Sequence, residues 1–372
     1  MRFTSVLLCA LLQLNTVKCW SQSSSWQPSA AAGKAHERKE NHRQLALVDT
    51  IRLKSEAAGS YVSPLECDTD GNLYLKVYSD VMSGIRKLNP QGERVAVFLP
   101  ETATPDVKVD FGHNFSIGAD GDLYQVTYAK DEVTRYVFVY RPDGSFKSKI
   151  KLQPGFAWNV SLVAPFASGN MLVAGLKYDK NPENYVMWPF TGIFSSDGTL
   201  LKQVKLKDDD KLHDMAASGD RRVTSPGALG TNAAVGRGAM EPGPDGNIYL
   251  MRRLSPAIFY VISPGGEILR RFSVDPGRSD YMPLDMHIAG NRIAVQFLQG
   301  PELASAVTIK QLIKVVDLAG REIATYDDPK LAGDEQLGSA FICYSDNPER
   351  FTYLNVMEKE GGRVGLRILE PR

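Results

Sequence analysis

What this chain lacks narrows its function more than what it has in plenty. Charge of neither sign is in excess, since Lys plus Arg number 43 and Asp plus Glu number 43. The basic stripe by which nucleic-acid binders track phosphates is therefore missing. The pairs Arg221-Arg222, Arg252-Arg253 and Arg270-Arg271 read instead as solvated charges on turns and strand edges. No HExxH, CxxC or GxSxG sequence occurs, and no Walker or dinucleotide-binding glycine motif. Zincin-type hydrolysis, dithiol redox chemistry, serine-elbow hydrolysis and nucleotide handling thus lack their short signatures. Cysteine is scarce, with 4 in 372 residues, which rules out a disulfide-dense scaffold. No apolar run approaches the roughly 20 residues of a spanning helix. The run from Phe3 to Leu14 is shorter, follows Arg2 and gives way to polar residues around Cys19 and Ser21, the outline of a secretory signal over 1–20. Lys18 stands where a lipoprotein cleavage box wants a small residue.

Residues 21–43 have almost nothing apolar to bury and are expected to form a disordered leader. Beyond them a periodicity takes over. DGNLYL at 70–75, DGDLYQ at 120–125, SGNMLV at 168–173, DGNIYL at 245–250 and AGNRIA at 289–294 form one series, with a degenerate NPERFTYL at 347–354. A second series interleaves with it: PQGERVAVF at 90–98, PDGSFKSKI at 142–150, SDGTLLKQV at 196–204, PGGEILRRF at 264–272 and LAGREIATY at 318–326. Glycine, Asn and Asp supply the positive φ of tight hairpin turns, and the Ile, Val, Leu, Tyr and Phe beside them suit half-buried strands. Two hairpins per unit, with most units 44 to 54 residues apart, predict an all-β, six-bladed β-propeller with four-stranded antiparallel blades. The chain ends at Arg367-Ile368-Leu369-Glu370-Pro371, where a third strand should turn into a fourth. An edge left open there would expose unpaired backbone groups, so QLALVDTIRLK at 44–54 is expected to complete the last blade and close a domain spanning 44–372.

Units such as ECDTDGNLYLKVYSDVMSGIRKLNPQGERVAVF at 66–98 and EPGPDGNIYLMRRLSPAIFYVISPGGEILRRF at 241–272 resemble the NHL-type repeats of six-bladed propellers. At the level of fold the chain is similar to the gluconolactonase and regucalcin superfamily. That resemblance spans nearly all of 44–372 and implies a central channel. Similar propellers include binding scaffolds, hydrolases and lyases, and fold does not choose among them. Gluconolactonase-like enzymes hold a divalent metal through an acidic residue about a dozen positions before the Leu-Tyr pair, where this chain has Val62, Gly112 and Arg237. Glu66 and Glu241 stand five residues before their turn glycines, a different register.

Residues entering the innermost strands are the candidate ligand contacts: Tyr61 and Glu66, Asp110, His113 and Asn114, Trp158 and Asn159, Arg237 and Glu241, and Asp285 and His287. Histidines His113 and His287 suit metal ligation or acid–base work near neutral pH, and Trp158 suits stacking on a sugar or peptide. Cys67 and Cys343 fall on the innermost strands of the first and sixth blades, which ring closure makes neighbours; buried free thiols are expected there, with a disulfide as the alternative that an exported compartment permits. Turn spacing widens between Gly169 and Gly246, and the excess at 207–238 is expected to overhang the channel mouth as a binding loop, with Asp208 to Asp210 as a solvated turn or helix start. The expected protein is a secreted or periplasmic monomer. It binds a small molecule, glycan or protein through the channel-mouth face, with no nucleic acid and no membrane span in the mature chain. No cofactor is called for by motif, although the channel can take a divalent metal. The alternative is a hydrolase or lyase using a metal or His residues in the channel.

Overall fold

The repeated Asp-Gly-x-Leu-Tyr stretch builds its own corner. Gly71, at φ 76°, donates to the Asp68 carbonyl at 3.0 Å, in a backbone region that glycine enters at little cost. The Asp68 carboxylate accepts from Asn72 N at 2.9 Å and from the Tyr74 hydroxyl at 3.1 Å. Tyr249 likewise donates to Asp245 at 3.0 Å. The tyrosine thus satisfies its polar end at the turn while its ring is buried.

The computed structural model describes residues 42–53, 60–78, 84–100, 104, 109–110, 114–129, 134–178, 187–217, 238–299, 310–327, 340–357 and 363–372. They form a six-bladed propeller with each blade running from an innermost to an outermost strand. Blade 1 is Ser60–Cys67, Leu73–Tyr78, Gly84–Leu88 and Arg94–Phe98. Blade 2 has an innermost strand broken into Val109–Asp110 and Phe115–Ile117, then Leu123–Ala129, Arg135–Tyr140 and Phe146–Lys151. Blade 3 is Trp158–Pro165, Met171–Tyr178, Met187–Phe194 and Leu200–Gln203, and blade 4 is Ala239–Pro242, Ile248–Arg252, Ala257–Ile262 and Ile268–Val274. Blade 5 is Tyr281–Ala289, Arg292–Gln299, Gln311–Asp317 and Glu322–Asp327, edged by His42–Arg43 in parallel. Blade 6 is Ala340–Asp346, Glu349–Met357 and Arg363–Pro371, and its outermost strand is Leu45–Arg52 from the N-terminal side.

Six hydrophobic clusters fill the six interfaces between neighbouring blades. This is why the second strands, such as Leu123–Ala129, are buried on both faces, whereas Phe146–Lys151 on a rim alternates. The seam between blades 6 and 1 has a cluster like the others, with Leu53, Leu65 and Leu73 against Ile342, Leu354 and Leu366. One face of the ring carries the tight turns within each hairpin.

Three expectations need correction. Cys67 and Cys343 are joined in a disulfide with Cα atoms 5.4 Å apart. The innermost strand of blade 6 shifts register between Phe341 and Cys343, and the bulge brings its thiol against the neighbouring blade. Asp208 and Asp209 are buried rather than solvated. Asp209 starts the helix Asp209–Ala217 and pairs with Arg252 at 2.8 Å, while Asp208 accepts from Arg271 at 3.1 Å and from Tyr260. Arg252 is therefore wholly buried, not a solvated strand-edge charge. These partners lie on the second, third and fourth strands of blade 4, and Leu212 packs with Leu176 of blade 3 and Leu254. The described part of the 207–238 segment is thus held over the middle and outer strands at the junction of blades 3 and 4. Residues 218–237 lie outside the described residues, as do the expected signal and residues 21–41 of the expected leader, whose last two residues, His42–Arg43, are paired in a strand.

Removing residues 1–53 should lower the melting temperature by roughly 10 °C or more relative to removing 1–40, because the longer cut strips a paired strand and the buried Leu45 and Leu53. Equal melting curves in calorimetry would refute the closing role of that strand. The double variant C67A/C343A should lose on the order of 5 kcal/mol in denaturant unfolding, as the chain-entropy account gives for so long a loop. A loss under about 1 kcal/mol would show that blade packing alone secures the seam.

Candidate functional site

Three innermost strands deliver polar side chains to one point. Glu66 lies opposite Tyr74 in blade 1, and Glu241 lies opposite Tyr249 in blade 4. Blades 1 and 4 face each other across a six-fold ring, so glutamates at equivalent positions extend toward each other. His287 joins them from blade 5. One ligand atom each from Glu66, Glu241 and His287 fall within 4.8 Å of one another. The ring is tight here, because the innermost strands of blades 2 and 4, which are not neighbours, approach within 8 Å in Cα positions.

The geometry is held by backbone as well as side chains. His287 Nδ1 is 3.1 Å from Glu241 Oε1 and 4.0 Å from Glu66 Oε2, while Nε2 lies 3.4 Å from the Phe341 carbonyl of blade 6. The other oxygen of Glu241 accepts from Ile288 N at 2.8 Å. Asp285, two residues before His287, accepts from Met286 N at 3.0 Å. Register shifts recur in these strands, at Tyr61/Leu65, Val160/Leu162, Pro283/Asp285 and Phe341/Cys343. Such bulges re-aim side chains and gather beside functional sites.

Burial, first, and then the charges of Glu241 and Asp285 and a hydrogen bond with Glu241 push the Glu66 carboxyl well above the usual range. Asp285 is pushed up to about 6, mainly by burial, with His287 opposing and Glu241 adding to the rise. Burial works against the charged form of His287, but Glu241, Asp285 and the Phe341 carbonyl together outweigh it and hold its pKa above the ordinary value. Carboxyl groups packed this closely out of water must share either protons or a cation.

The donor set suits a cation. Two carboxylates and an imidazole on one point, from Glu66, Glu241 and His287, can hold a divalent ion of the Mn or Zn type. The register, eight residues before the tyrosine, is this chain's own.

The other candidates fall elsewhere. Trp158 is in the aromatic core between blades 2 and 3, stacked on Phe194 with ring centroids 5.4 Å apart. Asn159 accepts from Tyr128 of blade 2. Asn114 accepts from Val126 N through its carbonyl at 2.8 Å. His113 and Arg237 lie outside the described residues. Glu66 is a candidate by its equivalence to Glu241 in the sequence, but only ring geometry tells which glutamates face each other.

With chelator present, Glu66→Gln should stabilise the fold increasingly as pH rises from about 4.5 toward 8. A carboxyl whose folded pKa is raised keeps its proton when the unfolded chain has lost it, so wild-type stability falls across that window. At pH 4 both chains carry a neutral group and should melt together; by pH 8 the variant should lead by at least about 1 kcal/mol. Parallel stability curves for the two chains across this range would contradict the burial of Glu66 among carboxylates.

Neither a protein family nor a curated protein matches the chain in sequence. Among solved structures it is similar to a protein of unknown function from Bacteroides caccae, at 13% identity and TM-score 0.42 over 71% of this chain and 80% of that one. It is similar to the Dos1 propeller at 13% identity and TM-score 0.40, over 80% and 75% of the two chains. The PQQ-bound aldose sugar dehydrogenase of Streptomyces coelicolor gives 9% identity and TM-score 0.42 over 88% and 98%. The likeness to these structures is one of fold and goes no further.

Proposed function

We propose that this protein is an exported enzyme that hydrolyses or eliminates across a bond of a small molecule in its central channel, using a divalent cation held by Glu66, Glu241 and His287. The convergence of those donors from blades 1, 4 and 5 carries this reading. A surface that only binds has little need of carboxyls buried against each other, because their desolvation costs free energy that complementarity alone does not require. Enzymes accept that cost to poise charges and protons.

A bound cation would supply Lewis-acid polarisation of a carbonyl or phosphoryl oxygen. The chain's own residues do the rest. The Ile288 amide fixes Glu241, the Phe341 carbonyl and Glu241 fix the His287 ring, and Asp285, at about 6, is suited to accept a proton near neutral pH. The narrow ring of strands keeps bulk water off these groups. Export is supported by the Phe3–Leu14 run and by the Cys67–Cys343 bridge, since disulfides persist in oxidising compartments. The Asp-Gly-x-hydrophobic-Tyr corners support an NHL-type repeat. The register of Glu66 and Glu241 argues against carrying over a lactone substrate from that resemblance.

Purified protein with added Mn or Zn should turn over a member of an ester, lactone or phosphoester panel, and Asp285→Asn should cut kcat by about 100-fold while retaining the melting temperature. Absence of turnover across all the bond classes would return the protein to the binding-module reading.

A further inference from the structure

The layer of the channel that holds Glu66 and Glu241 contains a third polar residue. Pairing with the second strand places Glu66 opposite Tyr74, Ser116 opposite Tyr124 and Glu241 opposite Tyr249. Each of those tyrosines packs toward the next blade in the ring, in the clusters between blades 1 and 2, 2 and 3, and 4 and 5. Residues paired directly across a ladder share a face, so Ser116 leaves its strand on the same side as the two glutamates. Blade 3 offers only Ala164 at this position, opposite Leu172, and blade 5 offers His287, opposite Ala294, which packs toward blade 6.

Ser116 is 1% exposed. Its Oγ has no hydrogen-bond partner among the described residues. A buried hydroxyl without a partner is costly, and native proteins rarely keep one without a water, ion or ligand to satisfy it. The short strand Phe115–Ile117 that bears it comes within 8 Å, in Cα positions, of both the Glu66 strand and the Glu241 strand. An orphan oxygen therefore sits in the same layer as a cluster whose donors already meet within 4.8 Å.

We propose that Ser116 Oγ is the neutral fourth ligand of a divalent-cation site whose other donors are Glu66, Glu241 and His287. A hydroxyl oxygen adds a ligand without adding charge, which suits a site that already has two carboxylates, and mixed oxygen and imidazole donors favour Mn or Zn over a purely oxygen-loving ion. The strand that carries Ser116 is a separate piece from Val109–Asp110, and both pieces pair with Leu123–Ala129. The inference rests on the channel site of the proposed function but does not depend on turnover.

The test uses the full-length exported chain, stripped with chelator and titrated with Mn alone in a calorimeter. Wild type should bind one Mn per chain, Glu241→Gln should abolish binding, and Ser116→Ala should weaken it by about 10-fold or more. Metal-free Ser116→Ala should melt no lower than wild type, because it removes only an unsatisfied hydroxyl. Equal Mn affinity in Ser116→Ala and wild type would overturn the role of Ser116 and leave the three-residue cluster standing. A markedly lower melting temperature of the metal-free variant would show that the hydroxyl serves the fold, and would overturn that role too. Failure of wild type to bind Mn at millimolar concentration would overturn the cation site itself, whereas tight binding without catalysis of any panel substrate would overturn only the enzymatic reading.

Discussion

Everything in this molecule depends on closing a ring of sheets that cannot stand alone. A single four-stranded blade presents two apolar faces and must stack on both sides, so the first and last blades would each expose one if the circle stayed open. Pairing of Leu45–Arg52 with Arg363–Pro371 makes the last blade from both ends of the chain. The Cys67–Cys343 bridge then ties its innermost strand to that of blade 1. Blade packing, backbone pairing and a covalent bond therefore all bear on the same seam, while other interfaces combine packing with hydrogen bonds such as Tyr128 to Asn159 between blades 2 and 3 and Lys202 to Glu267 between blades 3 and 4.

Closure also creates the chemistry. A six-membered ring brings innermost strands to a narrow axis, and residues far apart in the sequence meet there only because equivalent positions in opposite blades face each other. Glu66 and Glu241 are such a pair. The disulfide lies one residue from Glu66 and two from Phe341, whose carbonyl meets His287. The bond that secures the seam thus also fixes two of the strands that frame the site. Register shifts in the innermost strands let the same segments serve as ladder and as site wall.

The acidic start of the 207–238 segment anchors the chain to blade 4 rather than facing solvent. Asp208 and Asp209 engage Arg252, Arg271 and Tyr260, and a buried guanidinium needs such partners. Sequence offers no way to tell this from a solvated acidic turn, because the arginine that pairs with Asp209 lies 43 residues away. Trp158 is similar: an aromatic at a strand start suits a ligand or a core, and the neighbouring Phe156, Phe190 and Phe194 make it core.

The strands, the turns, the number of blades and the strand that closes them are legible in the sequence. These follow from local rules, since glycine at positive φ, alternating apolar residues and a tyrosine placed to reach its turn aspartate act within a few residues of each other. It also supplied His287, Glu241 and Asp285 as candidates and set Glu66 beside them by its equivalent position. The folded ring alone reveals that Glu66, Glu241 and His287 share a point, that Cys67 reaches Cys343, and that Ser116 lies in the same layer with no partner among the described residues. Those outcomes depend on ring curvature and strand bulges of a few ångströms, and such distances are fixed by how blades stack rather than by any segment of the chain.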